Sequence, residues 1–166
     1  MEVNVAPCHS LKTRCQVLDV QFSPFEWSSS LLAVAFPASV AVYSVAAKEE
    51  GDGIEECTLL KEWHVASEPI CLAWSPSATL RANPKCLQLS VATAANSVME
   101  ITSDLCDSDV IQDILSHKDF VNSISYNGET GNLVASSGDD LTARVWSSGT
   151  RSQIAKFLLT SPGKHV

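Results

Sequence analysis

The side chains of this sequence best suited to chemistry are a single histidine, His117, and the stretch that follows it, Leu133-Val134-Ala135-Ser136-Ser137-Gly138-Asp139-Asp140-Leu141-Thr142-Ala143-Arg144-Val145-Trp146. Serine, histidine and aspartate brought into one site would supply a nucleophile, its general base and the carboxylate that orients the base. That reaction also requires a nucleophile on a strained elbow and an oxyanion loop, and neither signature accompanies these residues. The same residue types have a second use. A buried imidazole, carboxylate or indole N–H is costly when unsatisfied, but together they supply donors and acceptors that pair off. We therefore assign His117 and Asp140 a structural role and predict no catalytic residues.

Other chemistries are poorly supported. The cysteines Cys8, Cys15, Cys57, Cys71, Cys86 and Cys106 contain no Cys-x-x-Cys knuckle, and none has a histidine at zinc-finger spacing. No structural metal is expected. The start, Met1-Glu2-Val3-Asn4-Val5-Ala6-Pro7, lacks the basic and apolar regions of a signal peptide, so the thiols are expected to be reduced. There is no glycine-rich phosphate loop and no paired-carboxylate constellation, which leaves no cofactor and no small-molecule substrate to propose. The net charge of −8 gathers at Glu49–Glu56 and at Asp104–Asp109. Those segments read as solvated loops, with a docking surface for a basic partner as the alternative. The densest basic segment holds only Arg144, Arg151 and Lys156, too little for direct nucleic-acid binding. The stretch Ser28 to Ala47 is uncharged and 20 residues long, the length of a membrane-spanning helix. Pro37 interrupts it and Val40-Ala41-Val42-Tyr43 is valine-rich, so two buried strands joined by a turn fit it better, without membrane insertion.

The elements that must position these residues repeat. Trp74-Ser75-Pro76 follows Phe22-Ser23-Pro24 by 52 residues, and Tyr126-Asn127 follows by 52 more. Each aromatic ends an alternating apolar run, Val17–Phe22, Ile70–Trp74 and Val121–Tyr126, so one strand type recurs at a fixed place in each unit. Units of roughly 40–55 residues with four short strands are blades of β-propellers. The first unit is predicted as strands Val17–Phe22, Leu31–Phe36, Ser39–Val45 and Cys57–Trp63. The second is predicted as Ile70–Trp74, Cys86–Thr93, Ser97–Thr102 and Val110–Leu115. The predicted organisation is a 1–16 N-terminal extension available to supply an outer strand, blades at about 17–63, 70–115 and 121–159 within a 17–163 array, and a truncated start of a further blade at 164–166.

The third unit resembles the WD40 repeat family closely. In that family a histidine before the first strand, a Ser or Thr on the second, an aspartate in the following turn and a tryptophan ending the third form one hydrogen-bonded network. Carried over by position, these are His117, Ser136, Asp140 and Trp146, with Asp140 six residues before Trp146. Where the third unit has Trp146 the first has Tyr43 and the second Ile101, so only one blade carries the full constellation. The expected fold is all-β: about three consecutive four-stranded antiparallel WD40-type blades, an incomplete propeller.

Several segments taken in order resemble, more narrowly, the small WD-repeat nucleoporin family. They are Val20–Glu26, Leu72–Pro76, Thr102-Ser103-Asp104-Leu105, His117–Asn122, Asp139–Trp146 and Phe157–Gly163. The resemblance implies a structural scaffold, not an enzyme, in the Y-shaped outer-ring complex of the nuclear pore. Its partners would be other nucleoporins, chiefly a large propeller-solenoid subunit. Its location would be the nuclear envelope, with kinetochores in mitosis. A WD40 adaptor for another complex, such as a ubiquitin ligase, is the alternative. Phe25 and Trp27, in a turn, are the candidate partner-binding aromatics, weighed against packing on a neighbouring blade. A family member has about seven blades. Three cannot close a ring, so apolar faces of the terminal sheets are expected to be exposed.

Overall fold

The computed structural model describes residue 13, residues 15–47 and residues 54–166. The rest of the 1–16 extension and most of the Glu49–Glu56 acidic loop lie outside the described residues. Among the described residues twelve strands form three four-stranded antiparallel sheets, each in simple sequential order. The first sheet holds β1 (Asp19–Phe22), β2 (Leu31–Phe36), β3 (Ser39–Ala47) and β4 (Ile54–His64). The second holds β5 (Pro69–Trp74), β6 (Leu87–Thr93), β7 (Ser97–Ser103) and β8 (Asp109–Ser116). The third holds β9 (Val121–Tyr126), β10 (Leu133–Gly138), β11 (Thr142–Ser147) and β12 (Gln153–Leu158). The uncharged stretch around Pro37 is thus two strands, β2 and β3, joined by a turn. Among the described residues no helix is long and apolar enough to cross a membrane.

Alternation decides which face of each strand is buried. On the first sheet Leu31, Ala33, Ala35, Val40 and Val42 face the second, where Leu72, Trp74, Leu87, Leu89, Val91 and Ile101 complete one core. A second core joins the other face of the second sheet to the third, through Ala73, Ala92, Val98 and Leu115 against Val121, Ile124, Tyr126 and Val134. The sheets therefore stand as blades packed face against face, with β1, β5 and β9 as the innermost strands in contact along the row. The array is not closed.

The two outward faces differ from these packed ones. On the first sheet, Val20 and Phe22 share the face of Val34 and Leu32, opposite the core with the second sheet, and are 55% and 51% exposed. On the third, Phe157 pairs with Ala143 and is 56% exposed. The residues after β12 run back along the third sheet: Leu159 N–H donates to Leu141 O at 2.9 Å, and Val166 N–H to Ser123 Oγ at 3.1 Å. Residues 164–166 are irregular there, not a strand.

Candidate functional site

The third blade carries the densest polar cluster. His117 lies just before β9, Ser136 on β10, Asp140 in the β10–β11 turn and Trp146 on β11. The structure brings all four together. Trp146 Nε1–H donates to Ser136 Oγ at 3.1 Å, Ser136 Oγ lies 2.8 Å from His117 Nε2, and His117 Nδ1 lies 3.0 Å from Asp140 Oδ1. One proton assignment satisfies every group: Nδ1–H donates to the carboxylate, and the Ser136 hydroxyl donates to Nε2 while accepting from the indole. Asp140 also accepts from Thr142 Oγ1 at 2.6 Å, Thr142 N–H at 3.1 Å, Lys118 N–H at 3.2 Å and Arg144 Nη2 at 2.6 Å. The adjacent Ser137 hydroxyl is buried without a partner.

The electrostatics follow from these contacts. Burial opposes ionisation of Asp140, but hydrogen bonds from Thr142, His117 and Lys118 outweigh it and hold the carboxyl far below the usual range. Burial lowers the His117 pKa, the neighbouring Asp140 only partly opposing it, so the ring is neutral at pH 7. A neutral imidazole, a carboxylate and a hydroxyl are the components of a nucleophilic triad. Here, however, Ser136 is 0% exposed and is engaged on both sides, so a substrate has no path to its oxygen. The arrangement ties β10, β11 and the turn between them to the segment that leads into β9.

Phe25 and Trp27 flank and enter a short 3-10 turn, Glu26–Ser28, between β1 and β2. Their rings stack at 5.3 Å with a 13° interplanar angle, and Trp27 Nε1–H donates to Pro76 O of the second blade at 3.1 Å. Phe25 packs on the core between the first two sheets. With Trp74 and Tyr126 it lines a cavity of about 270 Å³. Both aromatics thus take part in blade-to-blade contact, and Trp27 keeps part of its ring in solvent.

A second polar cluster was not anticipated from the sequence. Glu100 is buried on β7, accepting from Gln88 Nε2 at 2.8 Å and from Tyr126 OH, on the third blade, at 3.0 Å. Tyr126 OH also meets Ser90 Oγ at 2.7 Å, and Ser75 Oγ donates to Gln88 Oε1 at 2.8 Å. Burial and then the Glu100 charge push the tyrosine pKa up, so it stays a donor. The signal available was one charge inside the apolar strand Ser97-Val98-Met99-Glu100-Ile101-Thr102. Between the first and second blades, Trp74 Nε1–H donates to Gln21 O at 3.0 Å and Leu72 N–H to Asp19 Oδ2 at 2.8 Å. Cys15, Cys57, Cys71, Cys86 and Cys106 are free thiols, and burial, then Asp19, pushes Cys71 up to about 12.

Comparison with known proteins follows the same lines. The chain is 32% identical over 151 residues to nucleoporin Nup37 of Mus musculus, covering 89% of this chain and 46% of that protein. Nucleoporin Nup37 of Homo sapiens is 30% identical over 152 residues, with the same coverage. That of Drosophila melanogaster is 28% identical over 167 residues, covering 98% and 51%. The chain resembles Nup37 along nearly its whole length and spans about half the length of these curated relatives. Among solved structures, a chain from the crystal structure of the mitotic checkpoint complex superposes with a TM-score of 0.67 at 16% identity, covering 95% of this chain and 43% of its own. The structure of U3-55K gives 0.63 at 14% identity, covering 92% and 42%. The fold is therefore a row of WD40-type β-propeller blades. No protein-family profile matches the chain.

Proposed function

We propose that this chain, an open array of WD40-type blades similar to nucleoporin Nup37, is a non-enzymatic scaffold subunit of the nuclear pore's Y-shaped outer-ring complex. In this reading it binds other nucleoporins, chiefly a large propeller-solenoid subunit, at the nuclear envelope, with kinetochores as a mitotic location. It supports nucleocytoplasmic transport by holding the ring together. The observation that carries the proposal is the relationship to the Nup37 proteins across 89% of this chain. The chemistry of the third blade supports it, because Ser136, His117 and Asp140, which together could act as nucleophile, base and orienting carboxylate, are engaged in holding the blade together. Residues 17–163 form the blade array of the proposal, with residues 1–16 available as an outer strand.

Affinity purification of a tagged copy tests it. Outer-ring nucleoporins should be recovered with the chain, and the tag should mark the nuclear rim. Recovery of ubiquitin-ligase subunits without nucleoporins would overturn the scaffold reading in favour of an adaptor.

A further inference from the structure

Three serines in this chain are followed directly by proline, namely Ser23, Ser75 and Ser161. Their settings differ. Ser23 and Ser75 are buried where β1 and β5 end; Ser23 Oγ shares a 2.6 Å hydrogen bond with Ser28 Oγ, and Ser75 Oγ donates to Gln88. Ser161 is exposed, in the irregular segment after β12. The residue three positions further on also differs: Glu26 after Ser23, Ala78 after Ser75 and Lys164 after Ser161. Proline fixes its own φ, lacks an N–H and biases the residue before it towards extended backbone. A kinase groove selective for Ser-Pro takes that extended shape, and an acidic pocket in such a groove selects a cation at the third position. Only Ser161 combines an accessible hydroxyl, a proline and a following cation.

We propose that Ser161 is a phosphorylation site for a proline-directed serine/threonine kinase that reads Lys164, and that phosphate there unfastens the Leu159–Val166 segment from the third sheet. In the reaction Ser161 Oγ forms a bond to the γ-phosphorus of ATP as the bond to the β–γ bridging oxygen breaks. ADP leaves, and the hydroxyl proton passes to the base of the kinase.

The consequence follows from how the segment is held. Asn122 Nδ2 donates both to Gly163 O at 3.1 Å and to Asp139 Oδ1 at 2.6 Å. Lys164 Nζ lies 3.3 Å from the same Asp139 oxygen, and Val166 N–H reaches Ser123. Gly163 approaches Ser137 so closely that an added Cβ would lie 2.6 Å from the serine Cβ. The seat is close-fitting, but its ion pair is exposed and contributes little, so Lys164 can leave Asp139 for a kinase pocket. A phosphoryl group carries about −1.5 to −2 charges at neutral pH. On Ser161, three residues before Lys164, it competes with Asp139 for that lysine and adds negative charge to a segment that is tethered to the Asp139 carboxylate through Lys164 and Asn122.

The test treats the full chain with a cyclin-dependent kinase and Mg-ATP and maps phosphate by mass spectrometry. The expected result is near-stoichiometric phosphate on Ser161, with total incorporation into S161A reduced at least about tenfold and kcat/KM for K164A reduced by a similar factor. Backbone amide exchange at Gly163 and Val166 should accelerate at least about tenfold in the phosphorylated chain. Circular dichroism of S161A should match the parent, because the side chain is exposed. Incorporation unaffected by S161A, absence of phosphate, K164A kinetics equal to the parent, or unchanged exchange would each overturn the proposal.

Discussion

Asp140 accepts from five donors: His117, Lys118, both N–H and hydroxyl of Thr142, and Arg144. Replacing it by alanine strands the mostly buried Arg144 guanidinium and leaves the His117 Nδ1–H unpaired. Asp140→Ala should therefore cost about 3 kcal/mol, read from the midpoint of urea unfolding, and an unchanged midpoint would contradict a cooperative network. The two adjacent serines provide a finer test. Ser136 links an indole to an imidazole, so Ser136→Ala should cost about 1–2 kcal/mol, whereas Ser137→Ala, which removes a buried hydroxyl with no partner, should be neutral or stabilising. The histidine makes the blade sensitive to acid. Its folded pKa is depressed by burial, so the unfolded chain takes up the proton first as the pH falls below the ordinary histidine value of about 6.5. The stability contribution is complete above that value and is lost on acidification towards the depressed folded value. Arg144 and Lys156 push the same way and Asp140 opposes them. Unfolding midpoints measured between pH 7.5 and 5.5 should fall in the parent and fall less in His117→Gln.

The inner strands of the blades were legible because they obey one rule strongly. β1, β5 and β9 alternate apolar residues and end on an aromatic at a constant interval, and the structure places strands there within two residues of the expected bounds. Outer strands follow the rule weakly, since they are half-solvated. β4 runs from Ile54 to His64 where Cys57–Trp63 was expected, and β8 extends one residue beyond each expected end. Cys86, expected to open β6, instead makes an isolated bridge to Thr79. Of the polar clusters, the network of the third blade could be placed on residues because its members sit at fixed positions within one unit. The Glu100–Tyr126 contact could not, because its partners lie on different blades and sequence does not say which faces meet. The same limit applies to Gly131, in the turn between β9 and β10. Its φ is +64°, and a Cβ there would lie 2.9 Å from Cγ and Cδ of Pro76 on the second blade. Gly131→Ala should lose about 2 kcal/mol through the left-handed backbone and the displaced proline ring. Gly128→Ala in the same turn, where a Cβ meets nothing within 4 Å, should change the urea midpoint little.

Three blades in a row leave the molecule with two sheet faces that no other described sheet covers. Each internal boundary buries one apolar face against another and adds inter-blade hydrogen bonds from Trp27, Trp74 and Tyr126. At the ends the same kind of surface meets water, with Val20 and Phe22 on one side and Phe157 on the other. Burying apolar surface yields about 25 cal/mol per Å², so joining such faces is favourable wherever a complementary face is supplied. The net charge of −8 opposes contact between copies, but the repulsion is screened over roughly 8–10 Å at physiological salt, whereas face-to-face burial is not weakened by salt. Light scattering after size exclusion should therefore show mass rising with concentration, and the rise should persist or strengthen at higher salt. Paired Phe22→Lys and Phe157→Glu substitutions place opposite charges on the two exposed faces while leaving the internal cores untouched. If the end faces mediate association, each single substitution should shift it to at least about tenfold higher concentration, and mixing the two variants should restore part of it through the new charge pair. A monomer at all concentrations with a single cooperative melt would show instead that the three-blade array satisfies its own surfaces, and the uncovered faces would then have no role in holding a partner.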